Sequence, residues 1–316
     1  MGPWATRRPS SRRWIVIVLI VVAAGLGVPV GERGPSGAAA EGATPAGPTG
    51  VLPAGGRWTV TLLTGEVVEV QSDADGRVMA RVREQTAPVR TVQVPAGDIF
   101  VTPLGAGTLL DPELFNVTGL IRQGYDDASS AVVPVIVEGA PEATLFAAGR
   151  PLPSIGAMAV EVPKAKAPAV GEALASRSAG SRSSAPKVWL DRQVRASAAP
   201  AEHRRRAASG PNLRQVGADD AWAAGWTGEG VRVAVLDSGV DAGHPDLTGR
   251  IVAEQNFSDS ADTVDRVGHG THVASLVTGR RSGVAPGAAL VIGKVLGDDG
   301  TAEASDLIAA MEWAAT

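Results

Sequence analysis

The chain has 316 residues, 44% of them hydrophobic and 20% charged, which suffices for two domains with cores of their own. A net charge of −4 argues against nucleic acid as the main partner. There is no cysteine, which excludes disulfides, thiolate metal sites and a cysteine nucleophile together.

Arg7, Arg8, Arg12 and Arg13 precede an unbroken apolar run from Trp14 to Val28, which Pro29 ends. Ala38-Ala39-Ala40 then offers a small-x-small cleavage site before Glu41. This is the order of a secretory signal, expected over residues 1–40. The protein is therefore expected to be secreted and extracellular, meeting a membrane only transiently during export. A membrane anchor is the alternative reading, although the run falls short of the roughly 20 apolar residues of a spanning helix. Ser11-Arg12-Arg13 leaves the general and the twin-arginine export routes both open. Residues 41–56, rich in Gly, Ala, Pro and Thr, read as a flexible leader.

From Arg57 the pattern becomes β-rich. Trp58–Gln71 holds two apolar runs around Thr64-Gly65, a hairpin signal, and Asp73–Gly76 reads as a turn before alternation over Arg77–Arg83. Further strands are expected at Val132–Gly139, Ile155–Val162 and Lys187–Leu190, and an Ala-rich helix at Ala165–Ala175. Residues 57–192 are thus expected to form one β-rich α+β unit. Residues 193–211 read as an exposed linker in which His203-Arg204-Arg205-Arg206 is either a processing site or a solvated basic run.

A third pattern fills residues 212–316. A short helix is expected over Asp219–Ala224, a continuously apolar strand over Val231–Leu236, a helix over His269–Thr278 closed by Gly279, a second buried strand over Ala289–Leu296, and a helix over Ser305–Ala315. Strand, helix, strand, helix predicts an α/β fold with a parallel sheet and right-handed crossovers.

Two segments here carry chemistry. Asp237 ends the apolar strand of VAVLDSGVD, and ligands of open parallel sheets sit beyond the carboxyl ends of the strands. Gly239 lets the chain turn sharply behind it. A carboxylate so placed can fix the tautomer of an imidazole and support the imidazolium that forms during proton transfer; an ordinary strand-ending Asp in a turn is the bland alternative. His269, between two glycines in GHGTHVAS, is the general-base candidate. His272, Val273, Leu276 and Val277 fall on one helical stripe with it, so His272 is expected to be a packed core residue. Metal hydrolysis is a rival, with His269, His272 and Asp237 as ligands, but the i,i+3 spacing is not HExxH and no glutamate lies between the histidines. A dinucleotide site is weaker still, because Thr227-Gly-Glu-Gly precedes the strand that a phosphate-cradling loop must follow.

The order of VAVLDSGVD and GHGTHVAS, together with HPDL (His244–Leu247), GVAPGA (Gly283–Ala288) and KVLGDDG (Lys294–Gly300), resembles the subtilisin-like serine proteases, or subtilases. The resemblance covers residues 212–316, about the first third of a subtilase catalytic domain. It implies an α/β, parallel-sheet subtilisin-like domain, truncated here and preceded by a β-rich α+β propeptide domain. It implies Asp237 and His269 as charge-relay residues, and Gly300, Thr301 and Ala302 as a backbone edge that pairs with an extended polypeptide substrate, with Leu296, Ala304 and Leu307 lining pockets. Ala304 is small, so a roomy pocket is expected.

The short stretch Val277–Ser282 leaves no room for the calcium loop of some relatives, so the site that Asp246 would serve is not carried over. No metal and no cofactor are expected in this segment, while structural calcium elsewhere stays open. No serine present stands in a Gly-Thr-Ser-Met-like turn, so the chain is expected to be a fragment that lacks the nucleophile. Leu109–Asp127 and Val188–Arg192 resemble the N-terminal region of large actinobacterial secreted subtilases, which implies that residues 57–192 act as an intramolecular inhibitor and folding aid. A stable accessory domain, or a non-enzymatic binding module with a decaying protease stub, are the alternatives.

Overall fold

The computed structural model describes residues 15–19, 51–106, 109–139, 146, 149–178, 186–195 and 211–316. The expected cleavage site, the leader up to residue 50 and the basic cluster His203–Arg206 lie outside the described residues. The chain divides into two compact units, residues 24–193 and residues 1–23 with 194–316. Strand β1 (Ile15–Leu19) belongs to the second of these.

In residues 24–193, strands β2 (Arg57–Thr61), β3 (Val67–Ser72) and β4 (Val78–Glu84) form an antiparallel meander. The Thr64-Gly65 signal is the β2–β3 hairpin, closed by the Leu62 amide on the Glu66 carbonyl. Asp73 builds the next turn, its Oδ1 accepting from the amides of Asp75 and Arg77. Strands β5 (Val89–Gln93) and β6 (Ile99–Pro103) pair antiparallel. Helix α1 (Val117–Arg122) is only six residues long, shorter than any window that shows helical periodicity. Asn116 caps it through Oδ1 on the Gly119 amide, which buries that side chain.

Strands β7 (Val132–Glu138), β8 (Arg150–Leu152), β9 (Ala157–Pro163) and β10 (Lys187–Leu190) form an antiparallel sheet in the order β10-β7-β9-β8. Helix α2 (Ala167–Ser178) follows β9. Leu62, Leu63, Leu114, Phe115, Val135 and Val160 sit in one core that joins the meander, α1 and the sheet. This is an α+β unit.

The other unit contains β11 (Gln193–Arg195, of which Val194 and Arg195 fall here), α3 (Pro211–Gln215), α4 (Ala218–Ala223), β12 (Arg232–Asp237), β13 (Ile251–Asn256), α5 (His269–Thr278), β14 (Ala289–Lys294), β15 (Thr301–Glu303) and α6 (Ala304–Ala314). Its sheet runs β1-β12-β14-β13 with every pairing parallel. Because side chains alternate along a strand, β12 and β14 feed two cores. Val235, Leu290 and Ile292 meet Val273 and Ala274 of α5 on one face. Ala234, Leu236 and Val291 meet Leu307, Ala310 and Ala314 of α6 on the other. Both strands read as continuous apolar runs for this reason. Edge strand β13 is half exposed and carries Glu254 and Gln255, so it has no such run. The apolar run read as a secretory signal supplies β1, which pairs with β12 from Ile15 opposite Arg232 to Leu19 opposite Leu236. Among the described residues no helix is long and apolar enough to cross a membrane.

Candidate active site

Asp237 is the last residue of β12 and His269 the first of α5, so the site is built where a strand ends and a helix begins. Behind Asp237 the chain turns at Gly239, whose φ of +99° suits glycine. A Cβ there would also overlap the Thr263 carbonyl oxygen, and one on Gly270 would overlap the Gly239 carbonyl oxygen. The first turn of α5 therefore rests directly on the turn behind Asp237, at a separation only glycine permits.

This contact brings His269 Nδ1 to 2.7 Å from Asp237 Oδ1 and 2.8 Å from Oδ2. Asp237 is buried, and its Oδ1 also accepts from the Ser238 amide at 2.7 Å. The His269 side chain keeps 21% of its surface exposed. A buried carboxylate on Nδ1 selects the tautomer with the proton there, leaving Nε2 a free lone pair. Among the described residues Nε2 has no hydrogen-bond partner. The arrangement can accept a proton at Nε2 and hold the resulting imidazolium beside a fixed anion.

Two residues that sequence reasoning passed over hold the pair in place. Ser238 Oγ donates to Asp265 Oδ1 at 2.8 Å and accepts from the Gly270 amide at 2.9 Å, linking the turn to the helix start. Asp265 takes in the first turn of α5: Oδ1 accepts from the amides of Val267 and Gly268, and Oδ2 from the amide and hydroxyl of Thr271. An aspartate four residues before His269, at a helix start, was the available signal. Burial raises the Asp265 carboxyl, but the hydrogen bonds from Thr271, Ser238 and Gly268 outweigh it, so it lies below its ordinary 3.8. A carboxylate depressed by folding stabilises the native state fully above its unfolded value, and that contribution is lost as the pH falls through the folded value. Amide exchange at Gly268–Thr271, corrected for its intrinsic rate, is therefore expected to accelerate on acidification below about pH 4. Asp265→Asn should be fast already at neutral pH and lack this acid step.

The remaining site residues fall into two groups. Gly300, Thr301 and Ala304 are partly buried, and β15, which contains Thr301 and Ala302, pairs with β11. The loop before it is closed by the Gly297 amide on the Thr301 carbonyl at 2.7 Å and by Asp299, which accepts from the Thr301 amide and hydroxyl. Leu296, Ala302 and Leu307 are buried in the core under α6, their side chains packed on Leu236 and Val295 rather than open to solvent.

His272 corrects the expectation. It is exposed, as is Leu276, and the buried stripe of α5 is Gly270, Val273, Ala274 and Thr278. A helix face that carries a half-open His269 cannot also be the core face one turn on, so the stripe is rotated by a residue. Among the described residues no three His, Asp or Glu side chains are grouped to hold a metal ion. Asp246 is occupied by protein, accepting from the Arg281 amide and the Ser282 hydroxyl, each at 2.9 Å.

A parallel α/β sheet that presents a carboxylate–imidazole pair beyond the carboxyl end of a central strand has the layout of an acid–base hydrolase. The comparisons with known proteins agree. Residues 228–316 match the family model described as Subtilase family. Over 87 residues, 28% of this chain and 22% of the relative, it is 47% identical to "Subtilisin-like serine protease Pen ch 13" of Penicillium rubens. It is 42% identical over 86 residues to "Subtilisin-like protease 1" of Arthroderma gypseum, covering 27% of this chain and 18% of that one. The "Subtilisin-like protease 1" of Trichophyton rubrum is 39% identical over 99 residues, 31% of this chain and 20% of the relative. The similarity to the subtilases lies in residues 228–316. The chain spans about a fifth of the length of these curated relatives.

Proposed function

We propose that the protein is a secreted, zymogen-type serine endopeptidase in which Asp237 and His269 supply two members of the proton relay. The contact of 2.7 Å between His269 Nδ1 and a buried Asp237 carboxylate carries this reading. In the reaction, His269 Nε2 takes the proton of a serine hydroxyl as that oxygen attacks the scissile carbonyl. Asp237 supports the imidazolium, which then returns the proton to the leaving amine. The serine comes from outside residues 211–316. Within them, the Ser238 hydroxyl is held between Asp265 and Gly270, and the Ser282 hydroxyl by Asp246 and the Ser275 carbonyl.

The substrate is an extended polypeptide. It adds as a strand along Gly300, Thr301 and Ala302, gaining main-chain hydrogen bonds there. The pairing of β15 with β11 supports this, since that edge already accepts a strand of the same chain. Residues 57–192 serve as the propeptide, and residues 1–40 as the export signal.

Fluorophosphonate labelling tests the reading. Residues 1–316 alone are expected to take up no label and to leave a casein substrate intact. The secreted, complete gene product should label on one serine, and His269→Ala should abolish the labelling. Uptake of label by residues 1–316 would place the nucleophile inside them and overturn the assignment.

A further inference from the structure

Lys294 is the only charged residue of β14, and its side chain is fully buried. Its ammonium has three protons and three acceptors: the Ser238 carbonyl at 2.6 Å, the Val264 carbonyl at 3.0 Å and Asp298 Oδ1 at 2.9 Å. The acceptors belong to three different segments. Ser238 is the turn behind Asp237, Val264 lies in the stretch that leads into α5 and His269, and Asp298 lies in the loop that leads into β15. Asp298 reaches on to Arg266 at 3.3 Å, and Arg266 to Asp262 at 2.7 Å.

The proton relay makes no use of an ammonium here. Stability is a poor account of it, because taking an ammonium out of water is costly and its anionic partner, Asp298, is 41% exposed. What the ammonium does supply is a tie from the Asp298 loop to the other two segments, which are already paired with each other through Val240 and Val264, and peptide hydrolysis requires the scissile bond to be held closely against the base.

We propose that Lys294 is a positioning residue that sets the substrate edge Gly300–Ala302 against the Asp237–His269 pair, through Asp298 on one side and through Ser238 and Val264 on the other. This rests on the reading of Asp237 and His269 as a relay. Ser238 then has two tasks: its hydroxyl fixes the helix start and its carbonyl fixes the ammonium.

The test uses residues 1–316 and two readouts, amide exchange at 300–302 and the ring N–H proton resonance of His269. Lys294→Met keeps an unbranched apolar stem out to Cε and removes the ammonium. The thermal midpoint is expected to stay within about 4 °C, while exchange at 300–302 rises about ten-fold or more and the His269 resonance broadens away. Chemical rescue follows from the absence of other cysteines. Lys294→Cys is alkylated in denaturant by 2-bromoethylamine, the thiolate displacing bromide to leave a thioether that ends in a primary amine. After refolding, both readouts should return to within about two-fold of wild type.

Asp298→Asn covers the case in which the methionine variant does not fold. It leaves Lys294 its two carbonyls, so exchange at 300–302 should rise with the His269 resonance retained. Wild-type exchange at 300–302 in Asp298→Asn, or in a folded Lys294→Met, sinks the proposal and leaves the relay standing. Absence of the His269 resonance from the wild-type chain overturns the relay and this proposal with it.

Discussion

On the proposed relay, Asp237→Asn is expected to lower kcat about 10⁴-fold with KM little changed. The substitution hardly alters the volume of the buried side chain, so the fold should survive. It alters the proton on His269. An amide in place of the carboxylate offers Nδ1 an N–H as well as an oxygen, and it no longer balances the charge of an imidazolium. Nε2 then carries the proton for much of the time and has no lone pair to receive one. His269→Ala removes the base itself and should cost at least as much. Steady-state kinetics on a peptide amide, scaled by active-site titration, check both values. A loss below about ten-fold for Asp237→Asn would mean that the close contact with His269 has no part in the chemistry.

The second large effect is on folding. Gly239→Ala is expected to destabilise the protein by about 3 kcal/mol. Two causes add. The new methyl group meets the Thr263 carbonyl oxygen, an overpacking that costs about 1–3 kcal/mol. A φ of +99° is unfavourable for any residue with a Cβ, by about 1–2 kcal/mol. Gly249→Ala is the control: its φ is +73°, but nothing lies within 4 Å of the added carbon, so only the conformational cost of about 1–2 kcal/mol applies. Urea unfolding of the two variants separates the contributions. Equal losses at Gly239 and Gly249 would show that the close approach between the turn and the Thr263 segment is absent.

Much of this unit was legible because its burial is symmetrical. Strands β12 and β14 are covered on both faces and read as apolar runs, and α5 was expected over His269–Thr278 and is found there, bracketed by Gly268 and Gly279. Strand β13 was missed because an edge strand with one wet face has too little apolar sequence to stand out from a loop. The face of α5 was misjudged at His272 because periodicity fixes the spacing of a stripe but not which residue leads it; packing against Val235 and Ile292 decides that. In residues 24–193, α1 and the β5–β6 pair escaped notice because they are short, with local caps and turns doing what periodicity does in longer elements.

The site divides in the same way. Asp237 and His269 stand out because each sits at the end of an element with an ionisable group the core does not need. Ser238, Asp265 and Lys294 do not stand out. Local bonds tie Asp265 to the first turn of α5 and Lys294 to Asp298, but the bonds that join distant segments, Ser238 to Asp265 and Gly270 and Lys294 to Ser238, span 27 to 56 positions. A serine in a turn, an aspartate before a helix and a lysine at a strand end are each unremarkable until the fold brings their partners to them.

The measurement that bears most directly on the relay is the ring proton spectrum of the four histidines in the 316-residue chain. Among the described histidines the structure predicts a ring N–H resonance protected from exchange with water at His269 Nδ1, lost in Asp237→Asn, while exposed His272 shows none. A His269 ring N–H that exchanges as fast as that of His272, and is indifferent to Asp237→Asn, would contradict the pairing on which the proposed function stands.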